Sequence, residues 1–485
     1  MSYKMKENIQ KNELYFDVYS NNARNEINDN TNKKDVFGDV IKGFSVDLKN
    51  GSILQQSNSI SFLRIIIMNY QISVKEIGDG ILEDIMCKFV QEKTDIFIKI
   101  SLLKLIETMF DVNTNFVREF CSINTGRRIY DVLFNEMIDK NSLIPLVNLL
   151  TLIDYLNIYS LYAHSYFYQN GFLGFIFKQI QCSNNENELG LLLTSLQKFM
   201  GSKCSERYSN DDLTKIAKTL LGIILPNFFA HQTSTIVPVI RILTLLFEKS
   251  DKGNHIKLIE DSKITAILIT IINSDNLELA VSSISFLAIA SVHSDVICLQ
   301  LELYNVLGLS RVAIDDEKIF QTCSISIIQM IYSTIVACSS KDSNYSTLKY
   351  HLPENKCFVQ FLNKIFKQRI DVELINKGLF LLGLIVNHYP TSELIPFIQL
   401  FELDDLLQSN IEAGPSDGAT GSLTILYKIF SALTVAPFQS AKKIKEELFN
   451  EDMADALLTY KEMSESDELK NVTSVIINWI NKKQI

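Results

Sequence analysis

The sequence predicts an all-α protein, an armadillo- or HEAT-like α-solenoid: a right-handed superhelix of stacked helical repeats. Three observations predict it. Apolar residues recur at helical spacing in paired runs, hinged by short polar stretches. The pairs return at roughly the period of armadillo and HEAT units. Glycine (18) and proline (8) are few for 485 residues, which disfavours a β protein built on many tight turns.

Residues 264–291, ITAILITIINSDNLELAVSSISFLAIAS, show the unit. Ile264, Ile267, Leu268, Ile271 and Ile272 form the one-sided stripe of an amphipathic helix. Ser274 and Asp275 follow, with Glu278 three residues past Asp275, a helix-start signature in which a cap side chain satisfies orphan amides. The second run, Leu279 to Ala290, is apolar almost all round. Its small residues (Ala280, Ser282, Ser283, Ala288, Ala290) permit close approach, as in a helix that lies between other helices.

The layout returns at 81–110, hinged at Thr94 and Asp95, and at 357–387, hinged at Asp371. Residues 316–335 supply another second helix. Asp275 to Asp316 is about one repeat period, whereas Asp316 to Asp371 is longer. An insertion is therefore expected near 339–355, SSKDSNYSTLKYHLPEN. Because no single unit can bury its apolar face alone, repetition is what makes a core.

The expected organisation is a partly disordered N-terminal segment over 1–50 and one continuous repeat domain over 51–485. Residues 20–36 are almost free of apolar groups and read as a tether, with the fold beginning between Phe37 and Leu54. A hydrophobic fraction of 47% and a mean hydropathy of +0.11 fit central helices covered on both sides. IEAGPSDGATG (411–421) reads as a second flexible loop. The closing helix, DELKNVTSVIINWINKK, carries polar residues suited to capping the stack.

Residues 319–340 are uncharged for long enough to span a bilayer. Their Gln, Ser and Thr content, and their place in the second-helix slot, predict a buried helix and no membrane insertion. The N-terminal stretch has no signal-peptide core and contains acids unsuited to a transit peptide; the expected location is the cytoplasm, with the nucleus also open. The net charge is −10, and the basic pairs Arg127-Arg128 and Lys442-Lys443 are isolated, which argues against nucleic acid as a partner. Eight cysteines include no CxxC pair and read as reduced structural residues.

Enzyme signals are weak. GPSDGATGS (414–422) lacks the lysine of a phosphate-binding loop and follows no predicted strand. The six histidines are scattered, with no zinc-type spacing, and there is no GxSxG elbow. The expectation is a non-enzymatic protein with no cofactor and no metal. One constellation stands apart. Tyr155, Tyr159, Tyr162 and Tyr166 are spaced 4, 3 and 4, which on a continuous helix places them within about 40° to either side of one line. They would flank the apolar face of Leu149, Leu152, Leu156 and Ala163. Either the rings pack against the neighbouring repeat, or they form a partner-binding surface, a role that suits an apolar ring with a polar tip. These four are the candidate partner-binding residues.

The C-terminal half carries a family resemblance. LYKIFSALTVAPFQSAKK (426–443) resembles the last repeats of the 26S proteasome non-ATPase regulatory subunit 5 family, where a K-[VI]-F-x-A-[IL] helix is followed by proline and an aromatic. Here these are Lys428, Ile429, Phe430, Ala432, Leu433, Pro437 and Phe438. VELINKGLFLLGLIVNHYP (372–390) resembles the preceding helix, and residues 284–320 resemble the middle region in spacing. The N-terminal half shares only the general repeat style. The resemblance implies an assembly chaperone, monomeric outside its complex, that holds the C-terminal domain of one ATPase of the proteasome base. In that role it delays docking on the core particle and makes or breaks no bond. The residues by themselves leave two other classes open: a generic armadillo adaptor for transport, cytoskeleton or vacuolar ATPase assembly, and a cofactor that clasps the Hsp70 nucleotide domain.

Overall fold

The computed structural model describes residues 33–481 apart from 71–76, 78, 123–125, 140, 203–207, 228–230, 250–252, 341–354, 369–370, 402 and 436–445. Most of the expected tether, the expected insertion, and Pro437 and Phe438 of the family motif lie outside the described residues. Every regular element among the described residues is helical, and the chain is an all-α helical-repeat protein. It divides into two compact units, residues 1–207 and 208–485.

The first unit contains α1 (Lys33–Asn50), α2 (Ile53–Tyr70), α3 (Asp79–Val90), α4 (Ile96–Val112), α5 (Asn115–Ser122), α6 (Gly126–Ile138), α7 (Leu146–Tyr159), α8 (Leu161–Gln169), α9 (Phe172–Cys182) and α10 (Glu186–Gly201). Residues 33–36, the end of the expected tether, belong to α1. Two rows form within this unit. Helices α2, α4, α7 and α10 pack in sequence, and α1, α3, α6 and α8 pack beside them.

The second unit contains α11 (Asn210–Asn227), α12 (Thr233–Lys249), α13 (Asn254–Glu260), α14 (Ile264–Ile272), α15 (Leu277–His293), α16 (Asp295–Leu303), α17 (Leu309–Asp315), α18 (Glu317–Ser340), α19 (Lys356–Gln368), α20 (Val372–His388), α21 (Leu394–Ile398), α22 (Asp404–Glu412), α23 (Asp417–Val435), α24 (Glu451–Met463) and α25 (Asp467–Asn481). Its central row runs α12, α15, α18, α20, α23, α25, each against the next.

The helix starts follow cap chemistry. Asp95 accepts from the Phe97 amide, Asp316 from the Lys318 and Ile319 amides, and Asp371 from the Glu373 and Leu374 amides. Each satisfies donors that a first helical turn leaves orphaned. At the fourth hinge the cap sits one residue later than the spacing predicts. Asn276, not Asp275, accepts from the Leu279 amide, while its own amide group donates to Thr233 on the neighbouring helix. Glu278 is then turned toward Arg241 of α12, 3.4 Å away.

The second helices carry the core. In α15, Ala280, Ile284, Phe286, Leu287 and Ala290 are fully buried, and Phe286 meets Phe247 of α12 edge-on. Helix α18 is long and apolar enough to cross a membrane by length and composition. Here it packs against α15, α16, α17 and α20, burying Phe320, Cys323, Ile327, Met330, Ile331 and Thr334. The Thr334 hydroxyl donates to the Met330 carbonyl inside the same helix, so its burial leaves no polar group stranded.

Helices α20 and α23 approach closely. A Cβ built on Gly421 would fall 2.4 Å from the Leu379 carbonyl oxygen, and one on Gly383 2.8 Å from the Gly421 Cα. The helices therefore touch backbone to backbone, which only the absence of side chains allows. This corrects the reading of 411–421 as a flexible loop. Residues 417–421 are the first turn of α23, and the turn proper is confined to 413–416, where Gly414 takes φ +92°. The local composition is that of a loop, whereas Gly418 and Gly421 serve helix packing.

Two glycine substitutions should move stability in opposite directions. Gly421→Ala should destabilise by about 1–3 kcal/mol or more, because backbone cannot yield as a side chain can. Gly222→Ala, in α11 with nothing within 4 Å of the added methyl, should stabilise by about 0.5–1 kcal/mol through helix propensity. Melting followed by far-ultraviolet circular dichroism reads both; equal shifts would contradict the α20–α23 contact. Leu382→Ala and Phe286→Ala, both fully buried, should each cost about 2–5 kcal/mol in denaturant unfolding.

Candidate protein-binding surface

The four tyrosines do not share one helix. Ser160 takes an extended conformation, φ −133° and ψ 111°, and separates α7 from α8. Its hydroxyl accepts from the Ala163 amide and so starts α8. The sequence signal was a serine one position before the apolar spacing resumes. The even 4-3-4 spacing, which assumes an unbroken helix, masked it.

The break sorts the tyrosines into two kinds. Tyr155 and Tyr166 are packed. The Tyr155 ring meets Phe110 edge-on at 5.7 Å and its hydroxyl donates to Asp111. The Tyr166 ring lies 5.7 Å from that of Tyr130, and its hydroxyl donates to Asp131. Both phenols are pushed above their usual range by partial burial and by the carboxylates that accept from them. Tyr159 and Tyr162, on either side of Ser160, are instead 39% and 49% exposed. Ile158 and Leu161 accompany them, the latter 63% exposed. Four large apolar side chains within five residues thus face solvent at one kink.

Beneath them the structure is tightly held. Leu149, Leu152, Leu156 and Ala163 are buried, as the apolar face requires. Tyr130 is fully buried with its ring 5.9 Å from that of Tyr162. Its hydroxyl is pushed up by burial and lies among the Cys121 thiol and the Ser160 hydroxyl. Asp111 and Asp131 are functional candidates that the sequence did not single out. They lie 44 and 35 residues before their tyrosines, about one repeat away. Among the described residues no cluster of histidine, cysteine and carboxylate side chains gathers as a metal site.

No protein-family model and no curated protein matches the sequence. Solved structures share its fold. An engineered protein determined by a structural genomics consortium has a TM-score of 0.63 and 13% identity, covering 91% of this chain and 99% of its own. A chain from work on a phosphorylation switch controlling the interaction between cadherin and beta-catenin has a TM-score of 0.60 and 12% identity, covering 92% of this chain and 83% of its own. At such identities the likeness establishes the helical-repeat fold.

Helix α7 also holds a buried carboxylate on its inner side. Asp154 accepts from the Ser195 hydroxyl at 2.6 Å, and the Lys198 ammonium of α10 lies 3.4 Å away. Burial outweighs these partners and pushes its pKa up to about 6. The folded state therefore resists ionising Asp154. The penalty is absent below the ordinary value of 3.8, grows as pH rises, and is complete above about 6. Asp154→Asn, which keeps an acceptor for Ser195, should stabilise the protein at pH 7 by an amount on the order of 3 kcal/mol. The difference from wild type should vanish as pH falls from 6 to 4. Urea unfolding at pH 4 and pH 7 checks this; a pH-independent difference would show that Asp154 titrates normally.

Proposed function

We propose that this chain is a non-enzymatic protein-binding scaffold whose contact surface is the exposed kink between α7 and α8. The observation that carries the reading is the grouping of Ile158, Tyr159, Leu161 and Tyr162 in solvent on a base of buried side chains. Exposed aromatic groups of this kind gain on contact yet remain satisfied in water through their hydroxyls. Helical-repeat stacks present such surfaces on elements that do not have to reorganise to bind.

The finer reading is a chaperone for assembly of the 26S proteasome regulatory particle base, acting in the cytoplasm on one ATPase subunit. What supports it is the resemblance of residues 284–320, 372–390 and 426–443. In the structure Ile429, Ala432 and Leu433 are buried in α23, and Phe430 meets Trp479 of α25 at 5.2 Å. The matched residues that the structure describes are thus mainly core-forming, so they bear on the repeat and do not by themselves supply a contact surface. A reducing compartment fits the cysteines, since all seven that are described are free thiols.

Affinity purification with mass spectrometry separates the alternatives. A base chaperone should capture a proteasomal base ATPase and be missing from finished 26S particles. Assorted cargo would indicate a generic adaptor, and Hsp70 a nucleotide-domain clasp. Tyr159→Ala with Tyr162→Ala should weaken capture at least tenfold, about 1.4 kcal/mol, with helix content unchanged. Full capture with a lowered melting point would show that these rings serve packing.

A further inference from the structure

The chemistry around the kink says what kind of partner fits it. We propose that the α7–α8 surface docks a cationic, arginine- or lysine-bearing protein segment, an inference that rests on the scaffold reading above. The apolar patch is flanked by carboxylates on both sides. Asp111, at the end of α4, is exposed and accepts from Tyr155; Asp131, on α6, is exposed and accepts from Tyr166. Neither is ion-paired among the described residues. Each carboxylate has acceptor capacity left after one hydroxyl bond.

A third acid lies beside them. Glu107, one turn before Asp111 on α4, has its pKa raised by burial and then by Asp111 itself. Arg64 and Lys104 only partly offset this. Added positive charge near Asp111 would relieve that repulsion. Tyr159 and Tyr162 lie three residues apart, within about 11 Å of chain, between the two tyrosine–aspartate pairs. A lysine or arginine carries an apolar stem suited to such rings and a charged head suited to such carboxylates. Aromatic faces and carboxylates both favour such a cation, and an anion gains neither. A second copy of this chain is disfavoured by its net charge of −10, since like-charged surfaces penalise association.

The test uses the full-length chain and a fluorescein-labelled peptide of alternating arginine and leucine, with a matched glutamate–leucine peptide. Fluorescence anisotropy should show binding of the arginine peptide alone, weaker at high salt because exposed charges are screened. Asp111→Asn with Asp131→Asn keeps an acceptor for each tyrosine hydroxyl and should weaken binding about tenfold, with reduced salt dependence. Should that pair unfold, the exposed single changes Asp111→Asn and Asp131→Asn, each made alone, read the same loss of affinity and salt dependence in smaller steps with little demand on the core. The proposal is overturned if the arginine peptide does not bind, if the neutralised variant binds it equally, or if the glutamate peptide binds more tightly. It is also overturned if sedimentation shows a dimer that Tyr159→Ser dissociates, which would give the surface to a second copy. Cellular capture that survives neutralisation of both aspartates would leave the scaffold function standing and remove the cationic partner. Peptide binding without any cellular capture would do the reverse.

Discussion

Among the described residues, helix pairs leave apolar faces that only the next repeat covers, and the structure follows from that constraint. The two runs of 264–291 form α14 and α15, yet the fully buried residues of α15 are satisfied by α12 on one side and α18 on the other. A helix apolar all round is stable only where neighbours enclose it. The same holds for α18, whose composition alone would suit a bilayer. Its place in the row gives its side chains protein neighbours in place of lipid, and the buried hydroxyls of Ser324 and Thr334 bond back to the helix itself.

Stacking also sets where polar groups find partners. Ser195 reaches back to Asp154, Ser202 to the Asn157 carbonyl, Asn276 to Thr233, Gln300 to the Glu260 carbonyl, and Lys377 to Asp417. These pairs are separated by 40 to 45 residues. The two tyrosine–aspartate bonds, at 44 and 35 residues, follow the same rule. A side chain on one repeat is answered by the equivalent region of the next. Such cross-repeat bonds fix the register of neighbours, whereas apolar contacts alone would tolerate sliding.

This explains what was legible in the sequence. Periodicity fixes which face of each helix is buried, so the paired runs, the hinges at Asp95, Asp316 and Asp371, and the burial of α18 could all be read. What depends on a neighbour could not be read. Gly418 and Gly421 have the local composition of a loop, and only the approach of α20 gives them another role. Asp111 and Asp131 look like ordinary surface acids until the tyrosines of the following repeat lie against them. Ser160 was readable in principle, as a cap residue before a resumed apolar spacing, but the regular tyrosine spacing pointed to an unbroken helix. A search one period away from each conspicuous side chain would have found both aspartates.

The kink at Ser160 joins architecture to function. Had α7 run on, the four tyrosines would share one face and one fate. The break rotates the chain so that Tyr155 and Tyr166 anchor to the preceding repeat while Tyr159 and Tyr162 stand at the turn between them. Tyr155 packs on Phe110, and Tyr130 meets the rings of both Tyr166 and Tyr162, so the buried ring supports one packed and one exposed tyrosine. Ordering long side chains on binding costs about 0.5–1.5 kcal/mol each, and tyrosines on an anchored backbone have little left to lose. Exposed apolar groups on a flexible loop would bind less well for the same contact area. A serine that would be unremarkable in a loop therefore determines, by ending one helix and capping the next, which aromatic groups pack into the protein and which stand in solvent.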